Sequence, residues 1–180
     1  MSTAGNYFEL FGLPVDHLID KGRLDAEYER LSLETHPDFF SNAPSEEQQT
    51  ALNRSAEVNE AYRVLSHESR RATYLLGLLA QTAQGGVELN KTALPDGFLQ
   101  EMFALQEELE DFDPAADNGR AKELREQIGG RLADVVTKRG KLFAVARDQA
   151  NDNNQWNTLQ AIQTNLNCEK YLLRLMDRLD

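Results

Sequence analysis

Helical periodicity runs through almost the whole chain and limits its possible folds more than any other feature. Proline supplies 5 and glycine 11 of the 180 residues, and few stretches alternate with period two. Apolar residues instead recur at steps of three and four, which gathers them on one face of a helix. Tyr7 to Phe11 makes a short apolar opening, closed by Gly12 and Pro14. Asp20 is placed to cap a second helix in which Leu24, Tyr28 and Leu31 share a face. Ser45-Glu46-Glu47-Gln48 has capping-box spacing for a third, with Leu52, Ala56, Asn59, Tyr62 and Leu65 as a mostly inward stripe. A fourth follows Ser66 or His67 and turns Ala72, Leu75, Leu76 and Leu79 inward.

The composition then changes. Gln81 to Lys91 carries Gly85-Gly86 among small and polar residues and reads as a linker or inter-domain loop. Beyond it, Phe98, Met102, Leu105, Leu109 and Phe112 form one continuous core stripe, stopped by Asp113-Pro114. A longer helix is expected from about Asp117 to Gln149, with Leu124, Ile128, Leu132, Val135, Leu142 and Ala146 near one face. After the turn Asn151-Asp152-Asn153-Asn154, a last helix carries Trp156, Leu159, Ile162, Leu166, Leu173 and Met176. The expected architecture is all-α: a helical hairpin domain over residues 1–80, a linker over 81–93 and a three-helix bundle over 94–180.

Charge and cysteine use narrow the function. A net charge of −11 argues against a nucleic-acid partner, which requires a basic footprint, and disfavours anionic membrane surfaces. An acidic chain is better matched to a basic patch on another protein. No apolar run approaches the roughly 18 residues of a membrane span. Met1 to Asn6 has neither a basic nor an apolar stretch, so neither a secretory signal nor a transit peptide is expected. Cys168 is the single cysteine, which excludes an internal disulfide or a cysteine-based metal site. A reducing compartment, most simply a bacterial cytoplasm, is the expected location.

Two constellations carry possible chemistry. His36-Pro37-Asp38 stands between two helix patterns. Proline ends the preceding helix and fixes its own φ, so His36 and Asp38 leave the loop in set directions. One side chain titrates near neutral pH and the other is an acceptor-only carboxylate, which suits a cationic partner. Taken alone, the same residues also read as a plain helix stop with a capping Asp38. The second constellation is a line on the helix from Phe98 to Phe112. Leu99, Phe103, Glu107 and Asp111 recur every four residues, rotated about 100° from the core stripe. Leucine and phenylalanine on that line fit either a partner-facing stripe or a wide bundle core.

The order of motifs decides between these readings. Tyr7-Phe8 and Gly12-Leu13 open the chain, the His-Pro-Asp loop follows, and Asn59-Glu60-Ala61-Tyr62 with Leu65 comes after it. This order resembles the J-domain of DnaJ-type co-chaperones over about residues 5 to 78. Arg71-Ala72-Thr73-Tyr74-Leu75-Leu76 and the C-terminal helices are similar to the HscB family, the J-proteins of iron–sulfur cluster assembly. The resemblance implies docking on an ATP-bound HscA- or DnaK-type chaperone through His36, Pro37 and Asp38, with Arg30 at a basic position of the docking helix. It also implies binding of the IscU-type scaffold through Leu99, Phe103, Glu107 and Asp111. Gln100 and Ala104 depart from the apolar and acidic residues expected at their places, and a further scaffold contact on the last helix has no assigned residue. Phe39 stands where the family usually has a basic residue, and the docking helix mixes Lys21, Arg23 and Arg30 with four carboxylates. One or both of Phe39 and Phe40 are expected as core or loop anchors.

The resemblance implies an adaptor without covalent chemistry, metal or cofactor of its own. A J-protein with a different client is the alternative, and a hydrolytic or metal-dependent helical enzyme using His36 and Asp38 lacks ligands and a nucleophile–base pair. His17 and His67 are expected in capping or exposed roles, Cys168 as a partly buried or incidental thiol, and Trp156 as a bundle anchor.

Overall fold

The computed structural model describes residues 5–83, 88–110, 118–149 and 154–179. Gly85-Gly86, Asp111, Phe112 and most of the Asn151–Asn154 turn lie outside them. The described secondary structure is entirely helical, as the periodicity predicts. The chain divides into two compact units, Met1–Leu75 and Leu76–Asp180, with the division falling inside one helix.

The first unit holds α1 (Tyr7–Leu10), α2 (Lys21–Glu34), a 3-10 turn (Pro37–Phe40), α3 (Ser45–Leu65) and the start of α4 (Glu68–Thr82). Asp20 caps α2 as expected, its Oδ1 accepting the Arg23 N–H at 3.1 Å. The α3 start differs from the capping-box expectation. Pro44 is the N-cap residue, Ser45 is already helical, and no side chain caps the end. The Gln48 amide instead donates to the carbonyls of Ser41 and Ala43, at 3.2 and 2.9 Å, and so ties the helix to the loop before it.

Two tyrosines clip α2 to α3. The Tyr28 hydroxyl donates to Asn59 Oδ1 at 2.8 Å and the Tyr62 hydroxyl to Asp25 Oδ1 at 2.9 Å. Their rings stack at 4.0 Å between centroids. The later residue of α2 meets the earlier residue of α3, so the two helices run antiparallel. Beneath them Phe8, Leu24, Leu31, Val58, Ala61 and Leu65 are buried. The inward face of α3 is Ala51, Val58, Ala61 and Leu65; of the expected stripe Leu65 is buried and Tyr62 half-buried, whereas Leu52, Ala56 and Asn59 are exposed. His17 is another correction: it is buried, 3.5 Å from Glu68, and its carbonyl accepts from Arg71 Nε at 2.9 Å. Arg71 also donates to the Leu65 carbonyl, and Tyr74 stacks on Tyr7, so one turn of α4 is fastened by side chains to the loop before it and to α1.

In the second unit α5 (Phe98–Glu110), α6 (Asn118–Asp148) and α7 (Gln155–Met176) enclose a core of Met102, Leu105, Leu109, Leu124, Ile128 and Leu172, with Leu175 and Leu179. Gly97 precedes α5 at φ +76°, a conformation costly for any side-chain-bearing residue, and its carbonyl accepts the Glu101 N–H. On α7 the buried face shifts to Leu172 and Leu175, and Leu173 is exposed. The middle of α7 is polar on its buried side. Arg139 is fully buried there and pairs with Glu169 at 2.7 Å. Asn165 donates to the Val135 carbonyl and Asn167 to that of Ala93, both at 2.9 Å. These polar residues separate the upper apolar stripe of α7 from Leu172 and Leu175, beside which Met176 packs half-buried against the core.

Candidate partner-binding surfaces

The His-Pro-Asp turn is held from both sides by short-range geometry. Thr35 ends α2, with its hydroxyl donating back to the Leu31 carbonyl at 2.8 Å. Pro37 occupies the first position of the 3-10 turn, where its missing N–H costs nothing. His36 is the N-cap residue, its Nδ1 accepting the Asp38 N–H at 3.3 Å, and its carbonyl accepts the Phe39 N–H at 3.1 Å. The imidazole is thereby committed to shaping the turn. Asp38 is not needed for it: its side chain is 89% exposed, with the nearest carboxylate oxygen 3.7 Å from the imidazole. The result is a carboxylate presented outward on a rigid corner, with most of its hydrogen-bonding capacity open.

Arg30 lies on the exposed side of α2, one helical stretch before the turn. It bonds Glu27 at 2.9 Å and Glu34 at 2.6 Å. Its hydrogen bonds to Glu27 and then to Glu34 push its pKa further above the ordinary arginine range. Its charge is locally compensated, so it offers planar donor geometry more than a long-range field. Phe40 is half-buried and lines a cleft of about 750 Å³ between the end of α2 and the start of α3, with Thr35, Pro44 and Ala51. Phe39 is 71% exposed.

In the second unit α5 separates its two lines cleanly. Met102, Leu105 and Leu109 point into the core, whereas Leu99 and Phe103 are 42% and 61% exposed and Glu107 is exposed. Asp111 lies outside the described residues. Glu101, on the flank of α5 turned away from Leu99 and Phe103, bonds Arg131 at 2.8 Å and so ties α5 to α6. Leu99 and Phe103 are thus not part of the bundle interior. A second cleft, of about 520 Å³, lies between the start of α5, α6 and α7, and Phe98, Val135, Lys138 and Cys168 line it. Burial pushes the Cys168 thiol up from its ordinary value, with Lys138 opposing the shift. Among the described residues no cluster of three potential metal ligands forms, and no helix is long and apolar enough to cross a membrane.

Comparison with known proteins separates the same two parts. Residues 6–74 match the DnaJ domain and residues 94–180 the HSCB C-terminal oligomerisation domain. The chain is therefore a J-domain protein with a helical C-terminal domain. Its full pattern is more particular: the co-chaperone protein HscB homologue of Cupriavidus taiwanensis is 38% identical over 132 residues, covering 71% of this chain and 73% of that one. The homologue of Aeromonas salmonicida is 38% identical over 125 residues, covering 69% and 71%. The chain belongs to the HscB family of co-chaperones. Among solved structures, chaperone HscB from Vibrio cholerae is 26% identical, with TM-score 0.69 over 97% of this chain and 99% of that one. The human co-chaperone HscB, 21% identical with TM-score 0.79 over 99% and 82%, shares the fold.

Proposed function

We propose that this protein stimulates the ATPase of an HscA- or DnaK-type chaperone and brings it an IscU-type scaffold during iron–sulfur cluster assembly and transfer. Residues 1–80 act as the J-domain, 81–93 as linker and 94–180 as the scaffold-binding domain. The observation that carries the reading is the presentation of Asp38, which the turn holds rigidly and leaves open to solvent. A charge-assisted bond from its carboxylate to a chaperone guanidinium is worth roughly 1.5–3 kcal/mol. His36 and Pro37 fix its direction, and Arg30 extends the contact along α2. Leu99, Phe103, Glu107 and Asp111 bind the scaffold, the first two by apolar burial and the acids by fixing orientation. Joining both surfaces in one chain raises the effective concentration of scaffold beside the chaperone. The protein forms and breaks no covalent bond itself, and it works in the cytoplasm.

The test is the single-turnover ATPase rate of the cognate HscA-type chaperone with this protein, with scaffold and with both. Synergy is expected with the native chain. Asp38→Asn should remove stimulation, and Phe103→Ala should remove only the part that depends on scaffold. Stimulation that needs Asp38 but ignores scaffold and Phe103 would leave a J-protein serving another client.

A further inference from the structure

The 3-10 turn splits its phenylalanine pair. Phe40 turns toward the cleft between α2 and α3, while Phe39 stays 71% exposed, its ring edge-on to His36 at 6.0 Å. It contributes little buried area to the fold, and it is the residue next to Asp38. Nor does it stand alone: Leu33 is 64% exposed, and its carbonyl accepts the His36 N–H. Two large apolar side chains and one open carboxylate therefore emerge from seven consecutive residues.

Two of the three cations on α2 are already engaged within the molecule. Arg30 is bonded to Glu27 and Glu34, and Arg23 donates to the Gly12 carbonyl at 3.2 Å. Four carboxylates on α2 oppose its three cations. Long-range attraction to an acidic surface is correspondingly weak, so docking must draw on short-range contact. An aromatic side chain is suited to that role: it buries a large area at small entropy cost and shields an adjacent ion pair from water, which strengthens it.

We infer that Phe39 is the specificity-determining residue of the docking turn, an aromatic anchor for an apolar recess on the chaperone beside the cation that meets Asp38. The inference rests on the chaperone-stimulating reading above. A chaperone with a charged or filled surface at that place is a poor partner, however well it accepts Asp38.

The test is a titration of chaperone ATPase stimulation against the concentration of full-length protein, at low and high salt. The variants are Phe39→Ala, Phe39→Leu, Phe39→Lys and Asp38→Asn, with circular dichroism melts as the folding control. Phe39→Ala should raise the half-maximal concentration about tenfold and leave the maximal rate within about twofold. Phe39→Leu should recover part of the loss. The native protein should change little between about 50 and 300 mM salt, and Phe39→Lys should be at least as weak as Phe39→Ala at both. A half-maximal concentration unchanged by Phe39→Ala, with Asp38→Asn still inactive, would overturn the role of Phe39 alone. Stimulation untouched by Asp38→Asn would overturn the chaperone reading itself and this inference with it.

Discussion

The two candidate surfaces are built in opposite ways. In the first unit Pro37 and Asp38 lie in a four-residue turn, capped by His36, that contributes no buried residue to the core, and Arg30 lies on the helix before it. In the second they share a helix with the core, and of the consecutive residues Met102 and Phe103 the first is buried and the second exposed. A turn can present a carboxylate at a fixed angle because proline, a histidine cap and backbone hydrogen bonds hold it. A helix presents a longer line of side chains, and its position is only as firm as the stripe behind it. Function should therefore separate from stability almost completely in the first unit, and residue by residue in the second.

The largest expected effect lies in the support of the second surface. Glu169→Ala leaves Arg139 buried without its carboxylate, and should destabilise the second unit by about 3–5 kcal/mol. Denaturant unfolding of the full chain followed by Trp156 fluorescence would read it, and a loss under about 1 kcal/mol would mean that water reaches the pair. Next comes the contrast on α5. Met102→Ala should cost about 2–5 kcal/mol, and Phe103→Ala under about 0.5 kcal/mol, both by the same unfolding curve. Equal costs would erase the distinction between inner and outer lines.

In the first unit the effects are smaller. Asp20→Ala removes a helix cap and should cost about 1 kcal/mol. Asp38→Asn should cost less than about 0.5 kcal/mol, since its carboxylate supports little of the fold. The weakest effect is a pH dependence. The Cys168 pKa is raised by burial, so its contribution to stability is whole below the ordinary thiol value of 9.0 and lost as pH rises through the raised one. Unfolding of the native chain should therefore ease more between pH 8 and 10.5 than that of Cys168→Ala.

The same contrast explains what the sequence could reveal. The α2 stripe was legible because Leu24 and Leu31 are large and Asp20 sits at its cap position. The α3 face was legible only in part: Leu65 was placed, but Ala51 and Ala61 are small and give little periodic signal. Pro44 preset the start of α3 one residue before the expected cap, which took Ser45 out of the capping role. On α7 periodicity located Leu159, Ile162 and Leu166 but not the shift to Leu172 and Leu175. Beside it lies the buried pair of Arg139 and Glu169, two charges thirty residues apart whose partnership no local pattern encodes. The burial of His17 likewise depends on α4, far along the chain. The turn and the outer line of α5 were legible because both are local: each is set by residues within a few positions of one another.

Separation of the two surfaces is the central claim, and calorimetric titration of the IscU-type scaffold into the Asp38→Asn protein tests it most directly. The account predicts a Kd within about twofold of the native value, while the same variant no longer stimulates the chaperone. Scaffold binding weakened about tenfold or more by Asp38→Asn would contradict it and make the turn part of the client site.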